Sequence, residues 1–250
     1  MGKNRSHESP QSRGEVSEER PRHQFYGRRK GHALRSHHLQ LMEELLPKLR
    51  FDLSTPFPSP QRKLGSSFDM ESGVRRNDID TVWLEIGFGG GEHLAHQAEL
   101  HPHINFIGAE PFINGVAKLL ALIEEKRLAN IRIHDGDARY LLEALPGASL
   151  ERIYLLYPDP WPKARHAKRR FVNAETLAHF HRLLKPGGIF LFASDIADYV
   201  DWTRQHMAAH GGFMEKGNPL EPFENWRATR YEAKARREGR ETVYLSCLRR

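Results

Sequence analysis

The sequence has 250 residues, of which 39% are hydrophobic and 28% charged, so it fits one substantial domain with its own core and leaves little room for a second. The formal net charge is +6. Residues 1–38 contain nine Lys and Arg and four Glu, a net +5, so most of the basic excess lies in that segment. This excess indicates an anionic partner. A single cysteine, Cys247, excludes an internal disulfide, and the lack of an apolar run of about 18 residues or of a signal segment predicts a cytoplasmic protein without a membrane partner.

The first predicted elements follow a basic extension over residues 1–38. Residues 1–21 have almost no large apolar side chains and are predicted to be disordered. Residues 24–30 combine two aromatic side chains with three cations, and such a segment either stacks on bases and neutralises phosphates or forms a solvated arm. A helix is predicted at 39–49, and the Pro-, Ser- and Gly-rich residues up to 79 are predicted to form a linker.

Strand-like and helix-like segments alternate in the remaining domain, residues 80–250. Strands are predicted at 82–88, 105–109, 131–134, 152–156, 189–193 and 242–247. Helices are predicted at 92–100, 116–127, 138–145, 174–184 and 199–209. This order predicts an α/β fold, a mostly parallel sheet covered by helices on both faces and closed by a last strand, for which an antiparallel direction is one option.

Acidic residues and glycines mark the carboxyl ends of the first three predicted strands, where ligands of open α/β sheets bind. Glu85, Gly87 and Gly89 belong to the first strand and the turn after it, Glu110 ends the second strand, and Asp137 follows the third. The glycines permit a tight turn and close approach of the backbone to a nucleotide-like ligand. Asp137 has an ordinary alternative role, which is to cap the helix that begins at residue 138.

The chemistry of these acids favours a cationic cofactor. A dinucleotide-binding turn would have glycine at position 92, where this chain has Glu92 near the expected pyrophosphate. Glu85 instead suits a ligand with an ammonium or sulfonium group, as in S-adenosylmethionine. Glu110 is placed to accept hydrogen bonds from ribose hydroxyls, and Asp137 from the adenine amino group. The fifteen histidines show no ligand spacing, so no metal is predicted.

A proline-rich loop follows the fourth strand and reads Pro158-Asp159-Pro160-Trp161. Three prolines between residues 157 and 162 stiffen the backbone around Asp159, as expected for a rigid platform. Residues 163–170 then carry five Lys or Arg and no acid, which predicts a positive patch at the mouth of the site. Trp161 is placed to stack on a base. The alternative is a surface loop whose charges face water.

Motifs from several parts of the chain together resemble the bacterial tRNA (guanine-N7)-methyltransferases. They are Glu85-Ile86-Gly87-Phe88-Gly89, Pro158-Asp159-Pro160-Trp161 with Lys163, Arg165-His166 and Lys168-Arg169-Arg170, and Thr229-Arg230-Tyr231-Glu232. The similarity runs from about Phe25 to the end. It implies a Rossmann-like class I methyltransferase fold with a seven-stranded sheet, and methyl transfer from S-adenosylmethionine to N7 of the guanine at position 46 of the tRNA variable loop.

The resemblance also implies roles for individual residues. The cofactor set is Glu85, Gly87, Gly89, Glu110, Asp137 and Asp159, and Asp159 is also the implied catalytic residue. The substrate set is Lys163, Arg165, Asp195, Thr229, Arg230, Tyr231 and Glu232. Two of these positions keep ordinary alternatives, since Asp195 is placed to cap a helix and Thr229 with Glu232 has the spacing of a helix capping box.

Guanine N7 has a lone pair and no proton, so the proposed reaction needs no base, and alignment dominates. A carboxylate that accepts from N1 and N2 of guanine would stabilise the growing positive charge, with Asp159 as first candidate and Asp195 as second. Two rival functions stay open at this point. One is methylation of an exocyclic amine, and the other is an RNA-binding module with a vestigial cofactor pocket. Monomer and homodimer are both open.

Overall fold

The structure is a computed structural model that describes residues 22–53 and 81–250. The disorder predicted for residues 1–21 and most of the predicted linker therefore lie outside the described residues. Two helices precede the sheet, α1 (Ser36–Glu44) and α2 (Leu46–Leu49). The predicted helix at 39–49 thus starts earlier and is broken at Leu45, and Pro47 lies in the first turn of α2, where its missing N–H is tolerated.

The rest of the described chain alternates between strands and helices. Its elements in order are β1 (Val82–Ile86), α3 (Glu92–Leu100), β2 (Asn105–Ala109), α4 (Ile113–Lys126), β3 (Ile131–His134), α5 (Ala138–Ala144), β4 (Leu150–Leu156), a 3₁₀ helix (Ala164–Arg169), α6 (Ala174–Leu183), β5 (Leu184–Ser194), α7 (Ala197–His210), β6 (Phe213–Lys216), α8 (Arg230–Arg237) and β7 (Val243–Arg249). The predicted bounds of α3, β2 and β3 agree with the structure.

The seven strands form one sheet in the order β3-β2-β1-β4-β5-β7-β6. All pairs from β3 to β5 are parallel, whereas β7 runs antiparallel to both β5 and β6. The prediction of a mostly parallel sheet with an antiparallel last strand is confirmed, but that strand lies between β5 and β6 and not at the edge. The short strand β6 was not predicted.

The core lies on both faces of the sheet. Along β1, Leu84 and Ile86 pack with α5, α6 and α7, while Trp83 points to the other face and packs with α1, α3 and α4. Every residue of β1 is buried, as expected for a central parallel strand covered twice. Within the described ranges, no helix is long and apolar enough to cross a membrane.

Candidate active site

A cleft of about 580 Å³ lies at the carboxyl ends of β1 to β4. This volume is in the range of small-molecule sites. Five residues of the predicted cofactor set line it, together with two of the predicted substrate set: Gly87, Gly89, Glu110, Asp137, Asp159, Arg230 and Tyr231. The parallel topology gathers them, since successive strands end at the same edge of the sheet.

The turn after β1 brings backbone to the cleft wall. Gly87 and Gly89 have φ values of +70° and +58°, a left-handed conformation that glycine adopts without strain. The N–H of Gly89 donates a hydrogen bond to Glu110 Oε2 at 2.8 Å. The turn is therefore tied to the end of β2, and its backbone is held close to any ligand in the cleft.

Glu110 is buried at the end of β2 and accepts a second hydrogen bond, from the N–H of Phe112 at 2.9 Å. Burial raises the pKa of its carboxyl, and the two N–H donors offset only part of that effect. A carboxylate has about four acceptor positions, so Glu110 can also accept from the hydroxyls of a ligand.

Asp137 caps a helix and also lies at the cleft, while its contact with adenine stays a prediction. Its carboxylate caps α5 by accepting from the N–H of Arg139 at 3.0 Å, and it also lines the cleft. Burial alone would raise its pKa, but the hydrogen bonds from Arg139 outweigh burial and lower it. Asp137 is therefore an anion at neutral pH.

Glu85 lies within β1 and is 3% exposed. Its Oε2 accepts a hydrogen bond from Nδ1 of His93, in the first turn of α3, at 2.7 Å. Among the described residues that line the cleft, Glu85 is absent, so its contact with the cofactor stays a prediction. Sequence reasoning missed His93, although a buried carboxylate requires a partner.

The loop after β4 is held in a strained conformation. Tyr157 and Trp161, on either side of Pro158-Asp159-Pro160, have φ values of +49° and +43°, which large side chains rarely adopt. Asp159 reaches solvent at the cleft, yet the surrounding protein removes water from part of its carboxylate and raises its pKa. No group in the described part of the chain donates a hydrogen bond to it.

The cations that follow this loop face three different environments. Lys163, Arg165 and Lys168 are exposed. The guanidinium of Arg169 lies over the rings of two aromatic residues of the cleft, and Arg170 is buried. Of the five cations, three are thus exposed, Arg169 is half-buried and Arg170 is buried, and the last three of the run line the cleft.

The amino-terminal arm, residues 22–32, packs across the cleft. Arg139 donates to the carbonyl of Gln24 at 3.0 Å, and Asn114 exchanges hydrogen bonds with Gly31 and His32, both at 2.7 Å. Residues 24–28 between these anchors line the cleft, and Tyr26 meets Trp161 edge to face at 6.1 Å. The arm is therefore docked on the protein, yet Arg28, Arg29 and Lys30 are exposed, and their role toward RNA stays a prediction.

The predicted substrate segment 229–232 begins α8. Thr229 Oγ1 accepts from the N–H of Glu232 at 3.2 Å, so its helix-capping role is present. Glu232 is 1% exposed and accepts from Nε1 of Trp226 at 2.6 Å and from Arg236. Only Arg230 and Tyr231 of the four residues reach the cleft, where the ring of Tyr231 stacks near Tyr157 with centroids 6.1 Å apart.

Asp195 follows β5 and pairs with Arg240 Nε at 2.7 Å. The helix cap considered for Asp195 is wrong, because α7 is capped at Ile196 without a side-chain bond. Asp195, Lys163 and Arg165 are not among the described residues that line the cleft. Their roles in substrate binding stay predictions.

The sheet order, the glycine turn and the acidic strand ends define a class I, Rossmann-like methyltransferase that uses S-adenosylmethionine. A solved 16S rRNA methyltransferase, KamB, shares this fold with a TM-score of 0.52 at 19% identity, over 68% of this chain and 88% of that one.

Relatives of known sequence identify the family. Residues 80–245 match a family model described as putative methyltransferase. The tRNA (guanine-N(7)-)-methyltransferase of Agrobacterium fabrum is 52% identical over 230 residues, which cover 90% of this chain and 95% of the relative. The protein of that name from Rhizobium meliloti is 49% identical over 89% of this chain and 93% of its own. The chain belongs to the tRNA (guanine-N7)-methyltransferase family.

Proposed function

We propose that this protein transfers the methyl group of S-adenosylmethionine to N7 of a guanine in tRNA, at position 46 of the variable loop, in the cytoplasm. The observation that carries the proposal is the placement of Asp159, which stands on a rigid loop at the cleft whose rim holds Glu110 and Asp137. Family membership supplies the substrate class.

The cleft fits the cofactor chemically. Glu110 accepts from ribose hydroxyls, Asp137 accepts from the adenine amino group, and the turn of Gly87 and Gly89 lets the backbone approach closely. S-adenosylmethionine supplies an electrophilic methyl group on a positively charged sulfur. Glu85 supports this site through His93, which fixes the start of α3 directly after the glycine turn.

Asp159 orients the guanine and stabilises its charge. N7 attacks with its lone pair, so no proton has to leave the nucleophile, and the purine becomes positive as the bond forms. A carboxylate that accepts from N1–H and N2–H strengthens its hold as that charge grows. Alignment of the two reactants supplies up to about 7–11 kcal/mol in well-oriented systems. Asp195 is the weaker candidate because it pairs with Arg240 and is not among the described residues that line the cleft.

The tRNA is held by charge around the cleft and by stacking within it. Lys163, Arg165 and Lys168 are exposed beside the loop of Asp159 and meet phosphates. The stacked rings of Tyr157 and Tyr231 offer an aromatic wall for an extruded base, the geometry that base-modifying enzymes require.

The test is to incubate the protein with unmodified tRNA and S-adenosylmethionine and to identify the methylated nucleoside by mass spectrometry. We expect 7-methylguanosine, which cleavage chemistry specific for that base maps to its position. A product methylated on an exocyclic amine would overturn the proposal in favour of a different methyltransferase specificity. Binding of the cofactor without transfer would favour an RNA-binding module.

A further inference from the structure

The last cation of the basic run, Arg170, does not face solvent. It is 4% exposed, whereas Lys163, Arg165 and Lys168 in the same run are exposed. A guanidinium stays charged at any physiological pH, and burying a charge costs free energy unless it is paired and hydrogen-bonded. Its partners therefore indicate its role.

Those partners connect the loop of Asp159 to helix α7. Nε of Arg170 donates to the carbonyl of Pro160 at 2.8 Å. Nη2 donates to the carboxylate of Asp198, in the first turn of α7, and Nη1 lies 3.4 Å from the carbonyl of the same residue. The guanidinium also lies over the rings of Tyr199 and Trp202, 5.1 and 5.0 Å from their centroids. Arg170 thus contacts the Pro160 carbonyl, Asp198 and two aromatic rings at the same time, and no other residue type can make all of these contacts.

The carbonyl that Arg170 holds belongs to the residue next to Asp159. That loop carries two large residues, Tyr157 and Trp161, in the left-handed region, and strained backbone persists only where the surrounding structure fixes it. The contact from Arg170 to Pro160 lies between Asp159 and the second strained position. Loss of this contact would free the peptide that orients the Asp159 carboxylate.

We propose that Arg170 is a positioning residue that fixes Asp159 for methyl transfer, and that it does not bind RNA phosphate. This inference rests on the proposed role of Asp159. Within residues 163–170, the exposed cations act on tRNA affinity, and the buried Arg170 acts on the rate of the chemical step.

The substitution Arg170→Lys separates these two roles. A lysine keeps the charge, which is sufficient for a phosphate contact, but its single ammonium cannot reproduce the planar fork that reaches both Pro160 and Asp198. We expect kcat to fall by about 10-fold or more, since a misplacement of about 1 Å at a reacting group costs on the order of 10²-fold. The KM for tRNA and its dependence on salt stay within about twofold of wild type.

Arg165→Ala is the matched control from the same run, and it should raise the tRNA KM and weaken the salt dependence while kcat changes little. Asp198→Ala removes the side chain that accepts from Arg170. The side chain of Asp198 is 72% exposed, so we expect the fold to persist and kcat to fall with unchanged KM. Binding of S-adenosylhomocysteine and thermal melting of each variant confirm that the fold and the cofactor site persist.

A rise in tRNA KM with unchanged kcat in Arg170→Lys, or no change in either, would overturn the inference. If Arg170→Lys does not fold, unchanged kcat in Asp198→Ala overturns the inference and a lowered kcat supports it. Asp159→Asn is assayed in parallel. Full turnover in that variant contradicts the proposed role of Asp159, and no turnover in wild type contradicts the proposed function. These two results differ from those that contradict the role of Arg170.

Discussion

The acidic residues of the site differ in what already occupies their carboxylates. Glu85 is bound to His93, Glu110 accepts two backbone N–H groups, and Asp137 is bound to Arg139. Asp159 alone among these four receives no hydrogen bond from the described part of the chain. A carboxylate left with all its acceptor positions free on a rigid loop is suited to a substrate, whereas the other three carboxylates also tie parts of the site to one another.

Replacement of Asp159 tests this distinction. Asp159→Asn keeps the size of the side chain but removes the negative charge opposite the guanine, so we expect kcat for tRNA methylation to fall by about 10²-fold or more. The change in affinity for S-adenosylhomocysteine, measured by calorimetry, should be smaller. Asp201→Asn, on the exposed side of α7, serves as the control. Retained turnover in Asp159→Asn and Asp159→Ala would contradict the assignment.

The same substitution should not destabilise the protein. The pKa of Asp159 is raised in the folded state, so the folded state binds a proton more readily than the unfolded state. The free energy of unfolding therefore falls as pH rises from the unfolded-state pKa of Asp159 through its folded-state pKa. An uncharged Asn avoids that cost at neutral pH. We expect the Tm of Asp159→Asn at pH 7 to equal or exceed that of wild type, and a clear decrease would show that Asp159 has a structural partner.

Helix α5 depends on Asp137 for its first turn. Asp137→Ala should lower the free energy of unfolding by about 1 kcal/mol, the usual effect of losing an N-cap, while Asp137→Asn preserves the cap. The lowered pKa of Asp137 means that its pairing with Arg139 contributes stability above the unfolded pKa and loses it as pH falls through the folded one. The difference between wild type and Asp137→Asn, followed by denaturation, should therefore vanish in acid. A difference that persists there would contradict this account.

We expect the arm over residues 22–32 to slow release of the cofactor, because residues 24–28 line the cleft. Asn114→Ala removes the hydrogen bonds that anchor the arm at Gly31 and His32. Since one such bond contributes about 1 kcal/mol, we expect dissociation of S-adenosylhomocysteine to become about 5-fold faster or more. Lys118→Ala, exposed on α4, is the control, and an unchanged rate in Asn114→Ala would show that the arm does not restrain the ligand.

Elements with strong local patterns were predictable, and elements stabilised by tertiary contacts were not. β2 and β3 are short apolar runs with clear boundaries, so their predicted limits agree with the structure. In the edge strand β6 only Phe213 is buried, and α8 buries only Glu232 and Ala235, so neither has an apolar pattern to detect. The start of α8 is indicated only by the capping-box spacing of Thr229 and Glu232. β5 begins five residues before the predicted strand, and these residues include Pro186 and two glycines, which disfavour a strand prediction.

The candidate site was predictable to the extent that topology determines it. Acids at successive strand ends meet at one edge in any parallel sheet, which is why Glu110, Asp137 and Asp159 lie together. The pairing of Glu85 with His93 and the docking of the arm depend on side-chain packing. The arm contacts residues more than 80 positions away in sequence, for example Asn114, which is 83 residues from Gly31. A local sequence pattern cannot indicate contacts over such separations.

At the scale of the whole molecule, acids and cations together line the cleft, and further cations are exposed beside it. Binding of tRNA should therefore depend strongly on salt, with log Kd linear in log salt concentration and a slope of about 0.7–0.9 per phosphate contact. Lys163→Ala should reduce that slope by about one contact. Arg204→Ala, which removes a cation already paired with Glu215, is the control and should leave the slope unchanged. An unchanged slope in Lys163→Ala would remove this residue from the tRNA surface.

We propose that N7 of one guanine is the nucleophile and that the enzyme recognises the base through its other polar atoms, which are N1, N2 and O6. A tRNA with 7-deazaguanosine at the target position keeps N1, N2 and O6 but has carbon in place of N7. The account predicts that this tRNA binds with the affinity of the natural one and accepts no methyl group from S-adenosylmethionine. Transfer of a methyl group to it at a rate comparable to unmodified tRNA would contradict the account.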